Sequence, residues 1–160
     1  IVMSGFSKTY CMTGWRLGYA VLPDSLIDPF VRLTANSVTC TSTFVQQAAI
    51  AAIRGPQDSV KEMVEEFRLR RDTLVEGLNS IPGIECHMPT GAFYAFPRVS
   101  ALGMDDAVLS DRLLDEMDVA TLPGSVFGEQ GKGHIRLAYT TSRDNIVKAV
   151  DRIRDFVKRL

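Results

Sequence analysis

The sequence has few of the residues that build metal centres or charged binding surfaces. Its 160 residues include two histidines, His87 and His134, and three cysteines, and neither type has metal-ligand spacing. The 18 basic and 19 acidic side chains leave a net charge of −1, so the composition gives no basic surface for nucleic acid or for an anionic membrane. We therefore expect no metal site, no nucleic-acid partner and no membrane partner.

Long apolar runs are also missing. Stretches such as 47–53 are well short of the roughly 20 apolar residues that a membrane-spanning helix needs. With 46% hydrophobic and 23% charged residues, the chain has the composition of an ordinary globular domain. The odd number of cysteines, Cys11, Cys40 and Cys86, predicts reduced structural thiols in a cytoplasmic protein.

The hydrophobic periodicity predicts an α/β chain with a small sheet covered by helices. Apolar segments at 1–3 and 16–22 flank a turn rich in Ser, Gly and Thr, which indicates a strand, a loop and a second strand. Helices are predicted at about 26–36, 44–53, 58–78, 106–117 and 143–159, and short strands at 84–86, 92–96, 119–122 and 134–139. Asp24 or Ser25 is the expected N-cap of the first helix, and Ser142 that of the last.

The helix predicted at 58–78 has one apolar face and one charged face. Its charged residues indicate a solvated surface rather than a binding patch. The apolar residues that recur at three- and four-residue spacing, and are expected to be buried, are Val60, Met63, Val64, Phe67, Leu74, Val75 and Leu78.

Residues 4–19 contain the most informative pattern of the chain. Lys8 lies in a turn of small residues, and Arg16 follows eight residues later. An amine forms an imine with an aldehyde only in its deprotonated form, which desolvation and neighbouring cations favour. A guanidinium and a hydroxyl, here those of Arg16 and Ser7, are suited to binding a phosphate dianion.

The string Ser-Lys-x-Tyr-x-Met-Thr-Gly-Trp-Arg-x-Gly-Tyr at 7–19 resembles the Schiff-base lysine motif of fold-type I aminotransferases of the aspartate aminotransferase class, class I/II. The resemblance implies that Lys8 carries pyridoxal 5′-phosphate and serves as general base and acid. It implies that Arg16 and Ser7 bind the cofactor phosphate. It also implies transamination between an amino acid and a 2-oxo acid, and a homodimer in which the site lies at the subunit interface.

A second segment reads Leu-Pro-Gly-Ser-Val-Phe-Gly at 122–128 and Gly-Lys-Gly-His-Ile-Arg-Leu at 131–137. An arginine inside an apolar strand is costly to bury unless it meets an anion, and a guanidinium matches a carboxylate in bidentate fashion. The segment resembles the carboxylate-binding arginine segment of the same family, which implies that Arg136 binds the substrate α-carboxylate. A third family-like segment at 89–97 contains Phe93 and Tyr94, which we expect in the core rather than at the substrate.

The resemblance extends over nearly the whole chain. It implies that residues 1–43 hold the last strands of the large pyridoxal-phosphate domain, that 44–80 form connecting helices and that 81–160 form a C-terminal small α/β domain. Because other cofactor contacts precede the lysine in this family, we expect no meaningful transaminase activity from the 160 residues alone. Two alternatives stay open: a pyridoxal-phosphate-dependent C–S lyase on the same scaffold, and the ligand-sensing aminotransferase-like domain of a transcription regulator.

Overall fold

The computed structural model describes residues 1–160 as six α-helices and five short strands, which confirms the α/β class. In chain order the elements are β1 (Val2–Gly5), α1 (Phe6–Thr9), β2 (Gly18–Val21), α2 (Asp24–Ser37), α3 (Thr43–Arg54), α4 (Asp58–Asn79), β3 (Tyr94–Ala95), α5 (Asp106–Met117), β4 (Leu122–Pro123), β5 (Ile135–Ala138) and α6 (Arg143–Val157). They divide into two units, Ile1–Glu62 and Met63–Leu160. The three-part division of the chain at residues 43 and 80 stays a prediction.

In the first unit, β1 and β2 form an antiparallel pair in which Val2 faces Val21 and Gly5 faces Gly18. The predicted strand, loop and strand are therefore present. The unit buries a small apolar core made of Phe6, Met12, Leu17, Val45 and Ala49. All four residues of β1 are exposed, so the core lies beneath the loop that joins the strands rather than beneath β1 itself.

Helix α2 begins without the side-chain cap that the sequence suggests. Pro23 is its N-cap residue, and no side chain accepts a hydrogen bond there, so the predicted caps at Asp24 and Ser25 are wrong. The helix starts at Asp24, two residues earlier than expected, because the Pro23 carbonyl already accepts a hydrogen bond from the backbone N–H of Leu26, at 2.9 Å. Asp24 instead lies in the first turn, where the helix dipole favours a carboxylate.

The second unit contains an antiparallel three-stranded sheet with β5 between β3 and β4. Side chains alternate along β5, and Ile135 and Leu137 point into a core where they are 0% and 6% exposed. Helices α4, α5 and α6 contribute buried side chains to that core, among them Leu78, Leu113 and Phe156.

The charged face and most of the apolar face of α4 agree with the periodicity. Leu74, Val75 and Leu78 are buried, whereas Val64 is 58% exposed, so its predicted burial is wrong. Ion pairs join residues three or four positions apart on the charged face, such as Arg68 with Glu65 and with Asp72. These pairs satisfy the charges within the helix.

Several predicted strands are shorter than expected. Residues 84–86 form only a bridge, in which Glu85 pairs with Arg98, and the strand predicted at 92–96 is reduced to Tyr94–Ala95. Helix α5 has the predicted bounds, and Ser142 caps α6 as predicted by accepting a hydrogen bond from the backbone N–H of Asn145. None of the helices is long and apolar enough to cross a membrane.

Candidate functional site

The lysine loop, residues 6–17, is anchored at its two ends. The backbone N–H of Phe6 donates to the carbonyl of Leu17 at 3.2 Å, and both side chains are buried. The Phe6 carbonyl in turn accepts hydrogen bonds from the backbone N–H groups of Tyr10 and Met12, at 3.2 and 3.3 Å. These bonds wind residues 6–9 into the single turn of α1, and Lys8 projects from that turn with an exposed side chain.

Arg16 has a backbone conformation that is unusual for its residue type. It follows the 3₁₀ turn Thr13–Trp15 with φ 52° and ψ 50°, in the left-handed region. That region costs a residue with a Cβ atom roughly 1–2 kcal/mol relative to the right-handed helix. Cys11 of the same loop is also left-handed, with φ 54°, so the loop holds two strained residues, and strain of this kind clusters at functional sites. The Nη1 of Arg16 donates to the Thr13 carbonyl at 3.1 Å, which holds the side chain beside the turn.

The functional groups of the lysine loop fit an aldehyde that carries a phosphate. Lys8 supplies an amine, Arg16 a guanidinium and the half-buried Ser7 a hydroxyl. Gly14 leaves the backbone open, since no atom outside its own neighbourhood lies within 4 Å of the position that a Cβ would take. The three predicted cofactor residues therefore all lie on the one anchored loop of the first unit.

An apolar groove lies apart from these groups. It has a volume of about 680 Å³ and is lined in part by Phe6, Leu17, Phe30 and Ile50, and neither Lys8 nor Arg16 contributes to its wall. The groove lies against the anchors of the lysine loop, not against its reactive side chains.

Arg136 lies in the second unit, on β5, on the sheet face opposite the core. Its neighbours Ile135 and Leu137 are buried, and alternation turns Arg136 away from them. The guanidinium carbon of Arg136 lies 4.4 Å from the centre of the Tyr94 ring and 4.4 Å from the centre of the Phe127 ring. Two cation–π contacts therefore hold the guanidinium.

Arg136 is half-buried, yet no carboxylate of the chain lies within 4.0 Å of its nitrogens. Its guanidinium also donates no hydrogen bond within the chain. Seven other arginines of the same unit do form ion pairs: Arg68, Arg70, Arg71, Arg98, Arg112, Arg152 and Arg154. The contacts of the Arg136 guanidinium are therefore with two aromatic rings, and its N–H groups have no acceptor within the chain.

Phe127 belongs to the glycine loop, residues 124–133, which joins β4 to β5. The loop folds back on itself so closely that a Cβ on Gly124 would lie 2.1 Å from the Gly131 carbonyl oxygen. Asp106, at the start of α5, accepts hydrogen bonds from the backbone N–H of Ser125 at 2.8 Å and of Gly133 at 3.3 Å. Burial raises the pKa of Asp106, but hydrogen bonds from the backbone and side chain of Ser125, from the Gly133 N–H and from its own backbone N–H outweigh burial, and the net pKa lies below the ordinary value.

Sequence reasoning missed the partners of Arg136. The sequence predicts Tyr94 in the core, and no motif in it marks Phe127 or Asp106 as residues of the site. The structure places Tyr94 on the face opposite the core, because the adjacent Ala95 is fully buried and side chains alternate along a strand. Phe93 does pack against the core as expected.

The family model for aminotransferase class I and II matches residues 1–153. The chain belongs to this family. An aspartate aminotransferase from Pyrococcus horikoshii is 40% identical over 155 residues, which cover 96% of the chain and 40% of that relative. The chain also superimposes on solved structures of proteins that are named as aminotransferases.

One such structure is an aromatic aminotransferase from Pyrococcus horikoshii, with a TM-score of 0.93 and 37% identity over 98% of this chain and 42% of that one. Another is an alanine aminotransferase from Pyrococcus furiosus, with a TM-score of 0.91 and 38% identity over 99% and 42% of the two chains. The chain thus spans about two fifths of the length of these relatives.

Proposed function

We propose that this chain holds the cofactor lysine and the substrate-carboxylate arginine of a pyridoxal-phosphate-dependent aminotransferase that resembles aspartate aminotransferase. The observation that carries the proposal is the state of Arg136, which is half-buried between two rings and has no carboxylate partner in the chain. A guanidinium in that state is suited to a bidentate carboxylate from outside. Membership of the family and the donor groups of the lysine loop support the same function.

Lys8 binds the cofactor aldehyde in this proposal, and Arg16 and Ser7 bind its phosphate. When bound, pyridoxal phosphate supplies an electron sink that acidifies the α-hydrogen of an amino acid. Once the amino group of the substrate has taken the place of Nζ on the aldehyde, the freed Nζ of Lys8 would remove a proton from the substrate α-carbon and return it, as general base and acid. The single turn of α1 holds the backbone of Lys8 in place, because both ends of its loop are anchored by hydrogen bonds and buried side chains.

Arg136 orients the substrate by its carboxylate. The rings of Tyr94 and Phe127 restrict the guanidinium before substrate arrives, so less side-chain freedom is lost on binding. Hydrogen bonds to charged groups contribute roughly 1.5–3 kcal/mol each. A fixed carboxylate also determines which bond of the α-carbon faces the cofactor, and this choice sets the reaction type.

The proposal does not specify which amino acid is the amino donor. The relatives above are named for aspartate, aromatic amino acids and alanine at almost the same identity to this chain. We therefore propose an amino acid and a 2-oxo acid as the substrates. By the family resemblance we further propose a homodimer and a cytoplasmic location.

Reductive labelling tests the cofactor role of Lys8. The chain is mixed with pyridoxal phosphate, reduced with borohydride and digested, and the modified lysine is located by mass spectrometry. We expect adducts mainly on Lys8 and little on Lys61, Lys132, Lys148 and Lys158. Even labelling of all five lysines would contradict the assignment.

Two controls make the labelling specific to the phosphate. Pyridoxal, which lacks the phosphate, should label Lys8 no more than the other lysines. The variant Arg16→Gln should lose the preference for Lys8 with pyridoxal phosphate, because the planar cation for the phosphate is gone. An unchanged preference in Arg16→Gln would contradict the role of Arg16.

A further inference from the structure

We infer that Asp106 is a positioning residue for Arg136, which it holds in place through the glycine loop and Phe127. The inference rests on the proposed role of Arg136 in binding a carboxylate. Asp106 lies on α5 and forms no hydrogen bond or ion pair with Arg136, so its effect on the position of Arg136 is indirect.

The two carboxylate oxygens of Asp106 bind the two ends of the glycine loop. Oδ2 accepts from the N–H of Ser125, near the start of the loop, and Oδ1 accepts from the N–H of Gly133, at its end. Asp106 is 3% exposed, and its side chain does not serve as the helix cap. Asp105 does that, by accepting from the N–H groups of Ala107 and Val108. The carboxylate of Asp106 is therefore used to close the loop.

Phe127 depends on that closure for its position. Its side chain is half-exposed at 49%, so burial in a core does not fix the ring. The ring contacts the Arg136 guanidinium on one side and packs edge-on against Phe96, with 6.2 Å between the ring centres. The backbone between the two ends held by Asp106 therefore sets where the ring lies, and the ring restricts one face of the guanidinium.

Loss of the Asp106 carboxylate should loosen the loop and free that face of Arg136. The change Asp106→Asn keeps the size of the side chain but places an amide N–H₂ against a backbone N–H, since an amide has one acceptor oxygen where the carboxylate has two. Phe127→Leu removes the ring directly and leaves the loop closure intact. If Asp106 acts through Phe127, the two changes affect the same contact and their effects are not additive.

The test is a double-mutant cycle followed by NMR on the 160-residue chain. The Nε–H and Cδ–H signals of Arg136 report its two aromatic neighbours through ring-current shifts, and propionate serves as a probe with a carboxylate and no other charge. We expect Asp106→Asn and Phe127→Leu each to shift these signals and to weaken propionate binding about two- to five-fold, the range of one cation–π contact. The double variant should bind no more weakly than Phe127→Leu.

Control variants separate positioning from general loss of structure. Asp105→Ala removes the cap of the same helix and should lower stability without moving the Arg136 signals. Equal shifts in Asp105→Ala and Asp106→Asn would overturn the inference, and so would unchanged Arg136 signals in Asp106→Asn. Additive losses of affinity in the double variant would overturn it as well. If Asp106→Asn does not fold, hydrogen exchange of the unmodified chain decides: the Ser125 and Gly133 amides should be protected, and rapid exchange of both contradicts the inference.

The variant Arg136→Lys distinguishes this inference from the proposed function. If Arg136→Lys binds propionate as the unmodified chain does, Arg136 is not the carboxylate ligand and the proposed function fails. If Arg136→Lys loses binding while Asp106→Asn keeps it, only the role of Asp106 fails.

Discussion

Adding one methyl group at Gly131 should strongly destabilise the second unit. A Cβ at this position would lie 2.0 Å from the carbonyl oxygen and 2.7 Å from the carbonyl carbon of Gly124. Both are backbone atoms, so no side chain can rotate to relieve the clash. Gly131 is not among the glycines with positive φ, so alanine is excluded here by the close approach alone.

The expected loss follows from how the clash can be relieved. Overpacking a well-packed site typically costs about 1–3 kcal/mol. Relief here requires residues 124 and 131 to separate, which pulls on the loop ends that Asp106 binds. We therefore expect Gly131→Ala to fall at the upper end, about 2–3 kcal/mol. In a unit of about 100 residues each kcal/mol lowers Tm by roughly 4–8 °C.

Native-state hydrogen exchange in urea measures this loss within the second unit. The amides of Ile135 and Ile153 report it, since both side chains are buried in its core. Gly91→Ala is the matched control, because no atom outside its neighbourhood lies within 4 Å of its Cβ position and its φ is not positive. That change should be neutral or stabilising by about 0.4–1 kcal/mol. Equal free energies of unfolding for the two variants would refute the close approach of Gly131 to the Gly124 backbone.

Two further predictions concern the buried carboxylate of Asp106 and the catalytic activity of the 160-residue chain alone. The pKa of Asp106 is lower in the folded than in the unfolded chain, so its contribution to stability is present above about pH 4 and is lost as the pH falls through the lower, folded value. Urea denaturation at several pH values should show less acid sensitivity in Asp106→Asn, and an identical pH dependence would contradict this. A coupled assay of the purified 160-residue chain with amino acids and 2-oxo acids should show no meaningful turnover, because Lys8 and Arg16 are exposed to water that an active site must exclude. Appreciable turnover would contradict that expectation.

Local signals predicted the helices well. The bounds of α5 agree with the structure because the apolar spacing and the acidic start lie within the helix itself. The cap of α6 at Ser142 is equally local. Asp24 misled the prediction because Pro23, one residue earlier, already accepts the first helical hydrogen bond. Where two capping candidates follow a proline, propensity alone does not decide which begins the helix.

The strands were harder to predict because pairing depends on residues far along the chain. Tyr94 pairs with Ala138 and Leu122 with Arg136, and no local pattern fixes how many residues of each segment take part. Residues 84–86 have the apolar character of a strand, but only Glu85 meets a partner. The sequence thus indicates where the sheet lies more reliably than how far each strand extends.

In the candidate site, too, local features were predictable and long-range contacts were not. Lys8, Ser7 and Arg16 lie within ten residues of one another, so a contiguous motif was enough to select them. The contact of Arg136 with Tyr94 and the bond of Asp106 to Ser125 join residues that are distant in the sequence. Only the folded chain brings such pairs together, which is why the support around Arg136 could not be predicted.

The position of Trp15 gives the lysine loop its own optical probe. It is the only tryptophan of the chain, it ends the 3₁₀ turn next to Arg16, and its side chain is 44% exposed. All indole fluorescence therefore originates a few residues from Lys8. Emission above the tyrosine range can be followed in a stopped-flow instrument without labels, so events at this loop can be timed separately from any rearrangement around Arg136.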